Sequence, residues 1–160
     1  MRPGTRLRLE AVKPFFSLIP DEKKEIYDMG GFDGIIACEL KKKRPKANIT
    51  VVDIDKNGLQ KAKNKGLNTI SSSVLSLPIE DNSADLVLAL DLIEHIKEDS
   101  LAIKEISRVL KNGGKLILST PKENGVVFPL ISKKRSEEIN RGWGHVRRGY
   151  KLEELENIFS

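Results

Sequence analysis

The segment that most restricts how this chain can fold is Ala84-Asp85-Leu86-Val87-Leu88-Ala89-Leu90-Asp91, an apolar run bounded by turn residues. Such a run suits a central strand covered on both faces, as in a parallel sheet. The rest of the chain supplies the alternating partners. Glu25–Met29 reads as a short strand stopped by Gly30-Gly31, and Gly34–Lys43 as a helix with Ile35, Ile36, Cys38 and Leu40 inward. Residues 48–55 form a β-branched strand, 57–65 a polar helix closed by Gly66, and 68–73 a weaker strand. After the central run, Ser100–Leu110 carries the apolar stripe Ala102, Ile103, Ile106, Val109 and Leu110. Asn112-Gly113-Gly114 is expected to end that helix before a strand over 115–120. A loop of about thirty residues leads to a last helix from Lys151. A short N-terminal helix over 7–18 is expected to break at Pro14 and stop before Pro20. The order βαβαβ(α)βαβ implies a parallel sheet with helices on both faces, whose ligands bind at the carboxyl ends of the strands.

Composition narrows the class. The 160 residues suit one domain over 1–160, and 39% hydrophobic with 32% charged residues is the balance of an ordinary soluble globular protein. No apolar stretch approaches the roughly 18 residues of a membrane span. The basic start Met1–Arg8 is not followed by a signal-peptide core, so a cytoplasmic location is expected. The single cysteine, Cys38, excludes an internal disulfide framework and a cysteine-rich zinc site.

Three features fall at expected strand ends. In Asp28-Met29-Gly30-Gly31-Phe32-Asp33-Gly34, glycines allow close approach of a ligand to the backbone, or make a plain strand-to-helix turn. The spacing differs from that of dinucleotide binders. Asp28 would oppose a pyrophosphate and welcome a cationic head. Both points count against a dinucleotide or nucleotide-sugar enzyme. Asp53 stands where an acid accepts ribose hydroxyls, and Asp55 where an acid caps the next helix. Asp91-Leu92-Ile93-Glu94-His95 closes the central strand with titratable groups; His95 is either a base or a histidine packed on the helix.

Together these segments resemble class I S-adenosylmethionine-dependent methyltransferases, in particular small type 11-like domains, over residues from about 25 to 159. The strongest stretches are 77–85, 91–95 and 105–121, with Gly144–Leu155 similar to the region before the last helix in such enzymes. The resemblance implies a Rossmann-like three-layer α/β sandwich with a mostly parallel sheet in the order 3-2-1-4-5. It also implies two further strands that a chain ending at Ser160 does not reach. By the same resemblance, Gly30, Gly31, Phe32 and Gly34 would hold the methionine part of S-adenosylmethionine, with Asp28 facing its ammonium. Asp53 would take the ribose and Ile54 lie against adenine; Ser73 and Val74 would border the adenine edge; Asp91 would lie near the methionine end. For a hydroxyl acceptor, His95 would be the base and His145 the runner-up.

The chain departs from the family pattern in two side chains. Phe32 stands where a glycine is usual, and Ser73 where an acid usually meets the adenine amino group. These departures and the short C-terminus carry the alternative reading, a non-catalytic cofactor-binding or interaction module of the same fold. Asp91, Glu94, His95 and His145 also resemble the oxygen/nitrogen set of metal-assisted methyltransferases that modify small-RNA 3′ ends, and of some quinone-pathway O-methyltransferases. The first position there is typically Glu and here is Asp, and no metal is assigned. From Lys122 to Lys151 there are eight basic and three acidic residues, the whole of the chain's +5. A basic acceptor-side loop over 122–150 therefore implies an anionic or small-molecule acceptor. An uncovered edge at the fifth strand, or the C-terminal segment, is expected to give association, as in a homodimer, or else a mobile C-terminus.

Overall fold

A computed structural model describes residues 3–17, 19, 22, 24–123, 144, 146–147 and 149–159. The elements are α1 (Pro3–Phe16), β1 (Glu25–Met29), α2 (Ile35–Lys43), β2 (Asn48–Asp53), α3 (Lys56–Asn64) and β3 (Asn68–Ser71). Next come β4 (Ala84–Leu90), a 3-10 turn at Ile93–His95, α4 (Asp99–Val109), β5 (Leu110–Ser119) and α5 (Leu152–Phe159). The sheet order is β3-β2-β1-β4-β5, and every pairing is parallel.

The apolar run does what its composition requires. Six of the seven β4 residues are buried, with Leu86, Leu88 and Leu90 on one face and Val87 and Ala89 on the other. The first face packs on Leu9, Val12 and Phe16 of α1, Ile36 and Leu40 of α2, and Leu59 of α3. The second packs on Ala102, Ile103 and Ile106 of α4, with Leu155 and Ile158 of α5 against it. Side chains alternate along a strand, so Asp28 shares Ile26's face and points toward the α1–α2 layer. No helix among the described residues is long and apolar enough to cross a membrane.

Three expectations are corrected. Helix α1 begins at Pro3 and runs through Pro14 to Phe16. A proline suits the first helical position, and Pro14 falls close enough to the end to interrupt little. Ser17 Oγ then donates to the Pro14 carbonyl at 2.6 Å, closing the last turn. Next, Ala37 lies inward with Ile36 and Leu40, Cys38 is partly buried against the same core, and Ile35 is only half-buried and outside that cluster. Finally, Gly113-Gly114 does not stop α4. The helix ends at Val109, strand pairing starts at Leu110 opposite Ala84, and β5 bulges before Lys115 meets Leu86. Gly113 has φ 79, and a Cβ on Gly114 would stand 2.9 Å from the Lys111 carbonyl. Glycines are therefore needed for the bulge. β5 lies at one edge of the sheet and β3 at the other.

Candidate functional site

The carboxyl ends of β2, β1 and β4 lie side by side, and Arg8 of α1 reaches Asp91 at the end of β4. After Met29 the chain turns at Gly30, with φ 70, and its N–H donates to the Val52 carbonyl at 2.7 Å. Asp28, 3% exposed, folds under this turn, and its Oδ2 has no hydrogen-bond partner. A Cβ on Gly31 would lie 2.5 Å from that oxygen. Burial pushes the Asp28 carboxyl up to about 7; Arg8 pulls it down and Asp53 adds to the rise.

Asp53 ties the turn to β2. Its Oδ2 accepts the Phe32 N–H and its Oδ1 the Asp55 N–H, each at 2.8 Å. A carboxylate has about four lone-pair sites, so acceptor capacity remains. Asp55 caps α3, its Oδ1 accepting from Gly58 N at 2.8 Å. Ile54, beside Asp53, is 75% exposed. Phe32, with φ 47, lays its ring over Gly58 of α3: a Cβ there would stand 2.5 Å from Phe32 Cδ2. The side chain that replaces the usual glycine is thus accommodated against a second glycine. Gly34, with φ 67, leads into α2.

Ser73 is exposed, and its Oγ accepts the Leu75 N–H at 3.2 Å. Val74 is buried with Met29 and Val52.

Asp91 leaves β4 in the left-handed region, φ 49. Its Oδ1 accepts from Ser119 Oγ at 2.8 Å. Its Oδ2 receives both Nε and Nη2 of Arg8, each at 2.7 Å. Glu94 is fully buried; Thr120 Oγ1 donates to its Oε2 at 3.2 Å, and Oε1 has no partner. Burial pushes this carboxyl up to about 7, the Asp91 charge adds to the rise, and Thr120 and Arg8 oppose it. The Glu94 carbonyl accepts from Val146 N at 2.9 Å. Close by, Asp99 Oδ2 lies 2.8 Å from the Tyr150 hydroxyl and 2.9 Å from Arg147 Nη2. Arg147 stacks on the Tyr150 ring, and the stretch before α5 is thereby fixed to α4.

The structure brings Asp28, Gly30, Gly31, Asp53 and Asp91 together around these strand ends. His95 is exposed on the 3-10 turn, and a Cβ on Gly144 would lie 3.8 Å from its Nδ1. His145 and most of the basic 122–150 segment lie outside the described residues. Among the described residues no cluster of three or more His, Cys, Asp or Glu is placed to hold a metal ion. Sequence reasoning missed Arg8, reading it only as part of a basic N-terminus. The available signal was its spacing: Arg8, Val12 and Phe16 recur every four residues, and the last two are buried.

Comparison with known proteins gives the family and the fold. Residues 27–118 match the family model described as a methyltransferase domain. An uncharacterised protein of Methanocaldococcus jannaschii is 38% identical over 80 residues, covering 50% of this chain and 35% of that protein. The ubiquinone/menaquinone biosynthesis C-methyltransferase of Desulfotalea psychrophila is 26% identical over 113 residues, covering 67% and 46%. The chain thus spans between a third and a half of these relatives' lengths. A phosphoethanolamine N-methyltransferase of Haemonchus contortus, solved with S-adenosyl-L-methionine, superposes with a TM-score of 0.76 at 23% identity, covering 95% of this chain and 35% of that one. That likeness shows a common fold.

Proposed function

The chain belongs to the methyltransferase domain family, and on that premise we propose that it transfers a methyl group from S-adenosylmethionine to an acceptor. The observation that carries the reading is Asp28: a buried carboxylate with an unpartnered oxygen, under a glycine turn at the end of β1. An ammonium group would supply what that oxygen lacks, and the missing side chain at Gly31 is what lets Asp28 lie under the turn. The residues fit the cofactor's parts in kind. Asp28 would meet the amine, Asp53 has acceptor capacity left for ribose hydroxyls, and exposed Ile54 offers an apolar surface for adenine.

When bound, the cofactor supplies an electrophilic methyl group on a sulfonium. The chain's own contribution is to bind, orient and exclude water. Asp28 would fix the amino-acid end of the ligand and Asp53 its ribose, and Val74 closes the apolar floor beside Met29. For a protic acceptor, His95 is the base we assign, since it stands exposed just after the site's central strand. The basic 122–150 segment favours an anionic acceptor.

Calorimetry with S-adenosylhomocysteine tests the reading. Binding that weakens at least tenfold in Asp53→Ala is the expected result. No heat of binding at millimolar ligand overturns it.

A further inference from the structure

A cavity of about 280 Å³ opens at the amino end of β4 and β5, the end of the sheet opposite Asp28, Asp53 and Asp91. Ile19 and Leu86, both buried, form its apolar wall, and Lys24, Asp85, Lys111 and Lys115 supply its charges. The bulge in β5 builds it. Leu110 stands opposite Ala84 and Lys115 opposite Leu86, so five steps along β5 answer two along β4. The surplus, Asn112-Gly113-Gly114, lines the cavity as well. On a regular strand Lys111 and Lys115 would stand about 13 Å apart. The bulge instead brings both to one cavity, around the Asp85 that lies between Ala84 and Leu86.

The charges lining the cavity do not balance. Asp85 Oδ2 accepts the Glu25 N–H and Lys111 Nζ, each at 2.9 Å, and Lys24 Nζ stands 3.7 Å from Oδ1. Glu22, mostly exposed, lies 3.4 Å from Lys24 Nζ. Lys115 makes no ion pair among the described residues. Both oxygens of the acid are thus engaged, and three ammonium groups against one carboxylate leave two positive charges over. An ammonium has three donors, so Lys24 and Lys111 keep N–H groups beyond those the carboxylates take. An ion pair that only joined β4 to β5 would need one lysine and no cavity. We propose that this cavity binds a small organic phosphate, its dianionic head among the three lysines and its apolar body against Ile19 and Leu86. A dianion cancels the surplus charge, and lysines held by Asp85 are already oriented for it. The volume lies just below the roughly 300–1,000 Å³ of ordinary ligand pockets, which suits a small molecule. Asp85 and Asp91 stand about 20 Å apart along β4, so this ligand is not the methyl acceptor and the site is separate from the one above.

The test titrates the full chain with phenyl phosphate at fixed ionic strength and follows the backbone amides by NMR. The Gly113 and Gly114 signals should shift and saturate, while those of Gly30 and Gly31 stay in place. Inorganic phosphate should bind more weakly, because it leaves the apolar wall bare. Lys115→Gln should weaken phenyl phosphate by about fivefold or more. Because Lys115 holds no ion pair, this variant keeps the fold, and Lys111→Gln gives a second measure of the same loss. Lys63→Gln, which removes the same charge from an exposed position on α3 outside the cavity, should change nothing. No shift at ten-millimolar ligand overturns the proposal, as do shifts centred on Gly30 and Gly31. Equal losses in Lys63→Gln and Lys115→Gln would mean that only net charge matters, and equal affinity for the two phosphates that the apolar wall is unused; either result sinks it. A short RNA that moves the same amides at lower concentration than phenyl phosphate would make this a nucleic-acid contact and overturn the small-molecule assignment.

Discussion

Asp28 and Gly31 occupy one space: a Cβ on Gly31 would stand 2.5 Å from Asp28 Oδ2 and 2.9 Å from Val51 Cγ1. The acid can lie buried under the turn only because residue 31 has no side chain. Gly31→Ala should therefore force Asp28 or the turn to shift. Overpacking of this kind typically costs about 1–3 kcal/mol. Urea denaturation should show a lower midpoint with an unchanged slope, and S-adenosylhomocysteine binding should weaken with it. A variant as stable as the native chain would mean that the turn moves freely.

Asp28 also gives stability a pH dependence of unusual sign. Its carboxyl lies at about 7 in the folded chain, because burial outweighs the attraction of Arg8, against an ordinary value of 3.8. Between these values the folded chain holds a proton that the unfolded chain has released. Stability is therefore highest below about 4 with respect to this group, and falls as pH rises toward about 7. Glu94, also pushed up to about 7 by burial, contributes in the same direction. Asp28→Asn should raise the melting temperature well above neutral pH and leave it little changed in acid. Thermal melts of both chains across this range decide it; parallel profiles would exclude Asp28 as the cause.

Much of this arrangement was legible in the sequence, for a physical reason. A strand buried on both faces must be apolar throughout, so Ala84–Leu90 announced the sheet's centre. Turns that need positive φ announce themselves as glycine, as at Gly30 and Gly34. The direction of a side chain leaving such a turn was not legible. Phe32 stands where a glycine is usual, and its ring lies over Gly58, because the two residues meet only when α3 packs beside the turn. The partner of Arg8 was not legible for the same reason: Asp91 is 83 residues away. The Gly113-Gly114 bulge was mistaken for a helix stop because both uses require the same residue, and strand register alone separates them.

The Phe32–Gly58 contact reverses an ordinary rule. Replacing glycine by alanine within a helix usually stabilises it by about 0.8–1 kcal/mol. At Gly58 the new Cβ would lie 2.5 Å from Phe32 Cδ2 and 2.8 Å from Cε2. The ring must move, and it pulls on the backbone N–H that Asp53 accepts. Gly58→Ala should destabilise the chain, and Phe32→Leu in the same chain should recover part of the loss. Denaturation of the two single variants and the double variant gives the coupling. Additive effects would show that the ring and Gly58 do not constrain one another.

Arg108 offers a test away from the ligand site. Its Nε and Nη2 donate to Glu105 at 2.9 Å each, Nη1 to the Ile79 carbonyl at 2.9 Å and Nη2 to the Leu77 carbonyl at 3.0 Å. Glu105 in turn accepts the Leu77 N–H at 2.9 Å. This fork holds the connection between β3 and β4 against α4, and lysine has one nitrogen where the geometry uses three. Hydrogen bonds from Arg108 hold the Glu105 carboxyl down to about 2, below its ordinary 4.5. The unfolded chain therefore takes up a proton first as pH falls, and this contribution, present above about 4.5, is lost progressively toward about 2. Arg108→Lys should lower the melting temperature near neutral pH by roughly a few degrees and flatten the acid limb of the profile. An acid limb identical to that of the native chain would mean that Glu105 is held down by Leu77 N–H alone.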